Sequence, residues 1–328
     1  MHPFLTRRQL LIAGATFAAA GSELAQAEVP EDFPRRPMTL VSPLAPGGAV
    51  DVLARLLADE YRIRSGQPVT VENRSGGAGN IGIDAVRRAT PDGTTLLIVP
   101  AGNLTINPTL IPNVPFDVER DFAPITVLAT AANVVVAGPK TEIRTIAELI
   151  EKAKRAALTY GSPGLGSQLH LAMELLKQKT AVDITHVPYR GMPPALTDLL
   201  GGHIDILVSN LPVALPVIKE QKANALALTT AERSPLAPEI PTLAEAGVPG
   251  IDVTSWYGLL APRATPAPVV DAIFRVTSEI LKLPVLQEKL QPQGLSVMNE
   301  SSEEFAGRIR RETAMWRELI KLRNLTAN

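Results

Sequence analysis

Three glycine-rich stretches, each placed just before a helical pattern, are the residues of this chain best suited to chemistry. They are Pro46-Gly47-Gly48-Ala49 ahead of Asp51, Ser75-Gly76-Gly77-Ala78-Gly79 ahead of Ile81, and Gly161-Ser162-Pro163-Gly164-Leu165-Gly166-Ser167 ahead of Leu169. Glycine lets a backbone approach a ligand closely and bares its amides. A helix start carries N–H groups without intrahelical partners and a partial positive charge, so a loop of this kind suits an anion. A small carboxylate fits these loops better than a nucleotide does. The stretch Gly164-Leu165-Gly166-Ser167-Gln168-Leu169 lacks the third glycine of the dinucleotide fingerprint, and Ser167 stands where a phosphate-binding loop places its lysine.

The side chains beside these loops leave several roles open. Asp51 suits a loop brace accepting backbone N–H bonds, a partner for a ligand amine, or a first-turn acid favoured by the helix dipole. The hydroxyls of Ser162 and Ser167 can donate to carboxylate oxygens, and Ser167 is equally placed to cap its helix. His170, one turn inside its helix, reads as a packing or capping residue, while His186 and His203 have no acidic or cysteine partners at ligand spacing and read as structural. Four histidines and no cysteine leave little for a metal and nothing for a disulfide. No nucleophile elbow or zinc-protease motif is present, and Glu303 with Glu304 reads as a solvated helix start. No catalytic residue, metal or cofactor is expected.

The charge balance narrows the partners. Lys+Arg is 32 and Asp+Glu is 33, so no basic excess exists to hold nucleic acid or an anionic membrane. Aromatic residues at 4% argue against a stacking platform for nucleobases. Any bound anion is therefore held by local dipoles.

The elements that must position these loops alternate between strand and helix. Strands are expected at 38–42, 69–72 and 94–99, with helices at 51–62 and 80–88 and a polar loop at 101–108. The β-branched run 125–137 predicts one buried strand passing from one lobe to another. Beyond it come a helix at 145–155, with Thr145 and Glu148 as a capping box, and a second set of alternating elements through 229. A strand at 256–261 crosses back, and amphipathic helices at 266–282 and 302–322 are expected to lie on the first lobe. Such alternation predicts parallel sheets in an α/β fold of two lobes. The lobes are 28–133 with 254–328, and 134–253.

The N-terminus reads as an export signal. Thr6-Arg7-Arg8-Gln9-Leu10-Leu11 has the twin-arginine pattern. The apolar run behind it is shorter than the roughly 20 residues that span a bilayer. Ala25-Gln26-Ala27 offers small side chains to a signal peptidase. Residues 1–27 are expected to be removed, leaving a periplasmic protein not inserted in the membrane.

Taken together, the motifs resemble the Bug family, the periplasmic receptors of tripartite tricarboxylate transporters. The likeness runs through Pro46-Gly47-Gly48-Ala49-Val50-Asp51, Glu72-Asn73-Arg74-Ser75-Gly76-Gly77-Ala78-Gly79 and Pro91-Asp92-Gly93-Thr94, in order along the chain. It continues through Tyr160-Gly161-Ser162-Pro163-Gly164, His186-Val187-Pro188-Tyr189-Arg190-Gly191 and Ser255-Trp256-Tyr257-Gly258. The resemblance implies a type II periplasmic binding fold with two hinge strands. It also implies a carboxylate gripped by the amides of Gly47, Gly48 and Ala49. The expected ligand set is completed by Asp51, Ser75, Gly76, Asn103, Ser162, Gly164, Gly166, Ser167, Tyr189 and Asn210. A membrane permease of one large and one small subunit is the implied partner. Ser209 stands where many relatives carry an acid, which disfavours an amino-acid ligand. A receptor handing occupancy to a signalling partner, or less readily a periplasmic enzyme, would use the same fold.

Overall fold

A computed structural model describes residues 35–326; the expected twin-arginine signal at 1–27 lies outside them. The first half of the first sheet comes from Met38–Ser42 (β1), Val69–Asn73 (β2) and Thr95–Pro100 (β3), paired in parallel around β1. Helix α1 (Ala49–Ser65) follows β1 and buries Leu53, Leu57 and Tyr61, one turn apart, against that sheet. It ends at Gly66, whose left-handed backbone (φ 67°) closes the last turn. Helix α2 (Asn80–Arg87) connects β2 to β3.

The stretch expected as a polar loop after β3 is instead two short helices, α3 (Ala101–Thr105) and α4 (Asn107–Leu110). Neither is long enough to show an apolar period, so pattern alone reads them as loop. Helix α5 (Val118–Asp121) leads into β4 (Phe122–Ala131), and β5 (Asn133–Ala137) follows after Ala132. The single crossing strand expected at 125–137 is therefore two strands in two sheets. The break falls where the chain passes between lobes.

The second sheet repeats the grammar. Helix α6 (Ile146–Ala153) opens on Thr145, with both halves of the expected capping box formed with Glu148. Then come β6 (Thr159–Ser162), α7 (Gln168–Thr180), β7 (Thr185–Pro188), α8 (Met192–Gly201), β8 (Ile206–Asn210), α9 (Leu211–Lys219) and β9 (Asn224–Leu228). The chain returns through β10 (Ser255–Pro262), then α10 (Ala267–Leu281), α11 (Pro284–Leu290), β11 (Ser296–Val297) and α12 (Ser302–Leu322).

The sheet orders are β11-β4-β10-β3-β1-β2 and β7-β6-β8-β5-β9. Neither is purely parallel. β10 runs antiparallel to β3 and β4, and β5 antiparallel to β8 and β9. Each of these two strands has just entered its sheet from the other lobe and so runs away from the junction. The other long strands run toward it. The helices that follow β1, β3, β6 and β8 therefore begin at the gap between lobes, where ligands of open α/β sheets bind.

The last helix departs from expectation. Phe305 and Ile309 of α12 pack in the first-lobe core, whereas Trp316, Leu319 and Ile320 are buried in the second-lobe core. A helix expected on one lobe straps both together. No described helix is long and apolar enough to cross a membrane.

Candidate functional site

Between the lobes lies a cleft of about 420 Å³, lined from the first lobe by Ala49, Val50 and Gly102 and from the second by Ser167, Gln168 and Leu169. These are the opening residues of α1, α3 and α7. Gly48 and Pro100 precede their helices without any side-chain cap, and Ser167 caps only the His170 N–H. The other first-turn amides lack intrahelical partners and give these helix starts, which line the cleft, a partial positive charge. No Asp, Glu, Lys, Arg or His side chain lines it.

Asp51 holds the first loop and does not line the cleft. Its side chain is buried, and Oδ2 accepts from the Gly47 N–H at 3.0 Å and from Arg55 Nε at 3.0 Å. The Arg55 bond holds its carboxyl below the ordinary carboxylate range; burial opposes this and the Gly47 N–H assists. Of the three roles open to Asp51, the geometry selects the brace. Gly47 and Gly48 lead into Ala49 without lining the cleft themselves.

The second glycine loop contributes Ala78, not Ser75 or Gly76, which are exposed and outside the lining. Ala78 adopts a left-handed backbone (φ 55°), an uncommon conformation for a residue with a Cβ. Its carbonyl is held by Asn103 Nδ2 at 2.6 Å and Asn107 Nδ2 at 3.0 Å. Asn103 lines the cleft as expected, but its amide is spent on this loop.

The second-lobe loop is pinned from beneath. Ser162 is fully buried, and its hydroxyl meets His186 Nε2 at 2.7 Å and the Gly164 carbonyl at 3.1 Å. Ser162 is therefore turned away from the ligand space. The Gly166 N–H donates to His170 Nδ1 at 3.2 Å, and Ser167 Oγ donates to the Gly164 carbonyl at 2.8 Å. Burial pushes His170 down to about 3 and His186 down to about 4, so both rings stay neutral and His170 Nδ1 remains an acceptor. Gly164, Gly166 and Ser167 line the cleft; Tyr189 does not. The Tyr189 hydroxyl donates to Asp198 at 2.7 Å, and its backbone N–H to the Ser162 carbonyl at 3.1 Å, so it supports the same loop.

Asn210 faces the cleft and also clamps the hinge. Its Nδ2 donates to Asn133 Oδ1 at 2.8 Å and to Ser255 Oγ at 3.1 Å, while Asn133 Nδ2 donates to the Val253 carbonyl at 2.9 Å. Asn133 and Ser255 are the first residues of β5 and β10, so both crossings are tied to one buried network. Gln168 adds a bond to the Thr254 carbonyl at 3.1 Å. Sequence reasoning missed Gln168, Ala78 and Tyr257. Only Gln168 carried a signal, its place one residue past a cap.

A family model described as the tripartite tricarboxylate transporter family receptor matches residues 53–325. Protein BugT of Bordetella pertussis is 32% identical over 317 residues, covering 96% of this chain and 97% of that protein. A Rhodopseudomonas palustris protein solved with adipate is 35% identical with a TM-score of 0.79, covering 90% of this chain and 99% of its own. MatC of the same species, solved with bound malate, is 31% identical with a TM-score of 0.75, covering 88% and 100%.

Proposed function

The chain belongs to the tripartite tricarboxylate transporter receptor family, and from that premise we propose that it captures a small carboxylate in the cleft between its lobes. One observation carries the reading. Helix starts from both lobes, Ala49 on one side and Ser167 on the other, open onto one cleft that no charged side chain lines. Amide dipoles are then what attracts an anion, and a carboxylate needs no more. The volume of about 420 Å³ lies within the usual range for small-molecule sites, roughly 300–1,000 Å³. Similar proteins solved with adipate and with malate agree in ligand chemistry.

The ligand is gripped by the first-turn amides of α1 and α7, with Gly47, Gly48, Gly164 and Gly166 shaping the approach. Lobe closure brings the two grips together, a hinge movement about Asn133 and Ser255. The closed form is handed to a permease of one large and one small membrane subunit, and no reaction is catalysed. Export by the twin-arginine route brings the protein to the periplasm.

Calorimetry against mono-, di- and tricarboxylates, adipate and malate included, tests this. Saturable heat from at least one acid is expected. A flat response across the panel would discard the carboxylate reading.

A further inference from the structure

Two buried polar atoms of α12 lack a hydrogen-bond partner among the described residues, and they complement each other. Glu312 Oε2 is an acceptor and Trp316 Nε1 a donor. They stand four residues apart on one helix, hence on one face, where a side chain leans over the turn before it. The other carboxyl oxygen is engaged. Glu312 Oε1 accepts from Trp256 Nε1 at 2.8 Å, with Arg308 Nη1 at 3.6 Å. Trp256 itself lines the cleft, one residue past Ser255 of the hinge network.

The pair lies where the lobes meet. Trp316 is fully buried in an apolar cluster built from both lobes, with Ile106 and Leu110 of the first and Leu169, Leu171 and Ala172 of the second. Helix α12 accordingly packs on α3 and α4 on one side and on α7 on the other. The described arrangement brings the lobes close, since a Cβ on Gly102 would stand 3.6 Å from the Gly166 carbonyl. A buried donor and a buried acceptor left apart each lose the hydration they have in water. Bringing the lobes together therefore carries a penalty at α12. Parting α3 and α4 from α7 loosens the packing that holds the indole and lets it turn.

We propose that Glu312 and Trp316 form a spring set against lobe closure: Trp316 Nε1 donates to Glu312 Oε2 when the lobes part, and closure breaks that bond. The spring keeps the ligand-free protein open. Its effect on affinity rests on the carboxylate reading of the cleft; its effect on lobe position does not.

The chain has no cysteine, so spin labels attach only at Ile63→Cys and Ala147→Cys, exposed helix positions of α1 and α6, one in each lobe. At pH 8 Glu312, which burial pushes up to about 7, is ionised and Oε2 accepts. Label distances in ligand-free protein give the ratio of the described arrangement to the parted one. That ratio should rise at least about five-fold in Trp316→Phe, and likewise in Glu312→Gln, which keeps an acceptor for Trp256 but turns an amide toward Trp316. The double variant should rise no further than the larger single, because the same bond is lost in each. For whichever carboxylate gives saturable heat with wild-type protein, affinity should rise by up to the same factor. A mere packing defect would not produce such a gain. Unchanged distances in both single variants, a shift toward parted lobes, or weaker binding in both overturns the proposal. Distances that shift as expected while no acid gives heat uphold the spring and discard the carboxylate reading.

Discussion

The two lobes offer the cleft the same device, a helix start behind a glycine loop, and brace it by opposite means. In the first lobe one ionised carboxylate, Asp51, ties Gly47 to Arg55, whose side chain is 56% exposed. In the second lobe the brace is buried. His170 and His186 stack at 4.1 Å, His186 and Tyr160 at 4.8 Å, and the Tyr160 hydroxyl ends on Glu174. Glu174 also takes Lys177 at 2.7 Å and Arg323 at 3.0 Å. A charge beside water is replaceable, because solvent takes over whatever partner is lost. A buried polar network must be complete to be stable. Because Arg323 lies at the end of α12, this network also ties the second-lobe loop to the helix that straps both lobes.

The largest expected effect follows from that contrast. Burial works against the charge on Glu174, yet bonds from Lys177 and Tyr160 hold its carboxyl below the usual range. Glu174→Ala would leave the buried Lys177 with only Asp183, at 3.3 Å and itself 90% exposed. Breaking a buried ion pair from one side costs about 3–5 kcal/mol. Asp51→Ala leaves behind Arg55, whose side chain is 56% exposed and is hydrated once its partner is gone, so the loss is expected to be smaller. Urea unfolding of both variants separates the cases. Equal losses would show that the two braces do not differ in kind.

The glycines sharpen the comparison at the level of ligand affinity. Gly48 has an ordinary backbone (φ −85°) and open space where a Cβ would stand. Gly166 has φ 76°, and its added Cβ would collide with the end of Leu110, a first-lobe residue. The left-handed backbone alone costs an L-residue about 1–2 kcal/mol, and Leu110 must move as well. Gly166→Ala is expected to weaken binding of whichever carboxylate gives saturable heat with the wild-type protein at least about ten-fold, and Gly48→Ala less than about two-fold. Calorimetry measures both, and a larger loss at Gly48 would place the tighter grip in the first lobe.

These contrasts mark where the sequence could be read. Helix α1 was legible because Leu53, Leu57 and Tyr61 repeat at its period, and the helix start behind Gly48 followed from that. The two-lobed plan was legible from the alternation of elements and from the β-branched run before Ala137. Roles that depend on distant partners were not. Ser162 offers a hydroxyl to either a ligand or the protein. Only the fold shows that His186, 24 positions on, claims it. Asp51 kept three roles open until Gly47 and Arg55 were seen around it. Tyr257 looked like any apolar strand residue, since a place in the cleft lining is a property of its surroundings and not of its spacing. The break between β4 and β5 escaped for the same reason, because Ala132 has no breaker chemistry and the division is made by the second sheet.

The smallest expected effect is a pH dependence set chiefly by the second-lobe histidines. His170 and His186 are pushed down to about 3 and about 4 from 6.5. Between those values and 6.5 the unfolded chain binds protons that the folded chain refuses, so stability falls as pH drops below about 6.5. Asp51 works in the same direction but in a lower pH window. Its folded carboxyl is lowered, so its contribution is present above 3.8 and is lost only as pH falls through the lowered value. Glu312 on α12 works against the histidines. Burial pushes it up to about 7 from 4.5, with the Trp256 bond at 2.8 Å opposing, and its contribution is lost as pH rises through 7. The sum is a loss on the order of 1–2 kcal/mol between pH 8 and pH 5. Urea midpoints across that range should show the loss in wild-type protein and little or none in His170→Gln. In Glu312→Gln the loss should grow, because the opposing group is gone. A slope that survives His170→Gln unchanged would mean that the stacked rings exchange protons freely with solvent, and the buried brace would then be no more sheltered than the exposed Arg55.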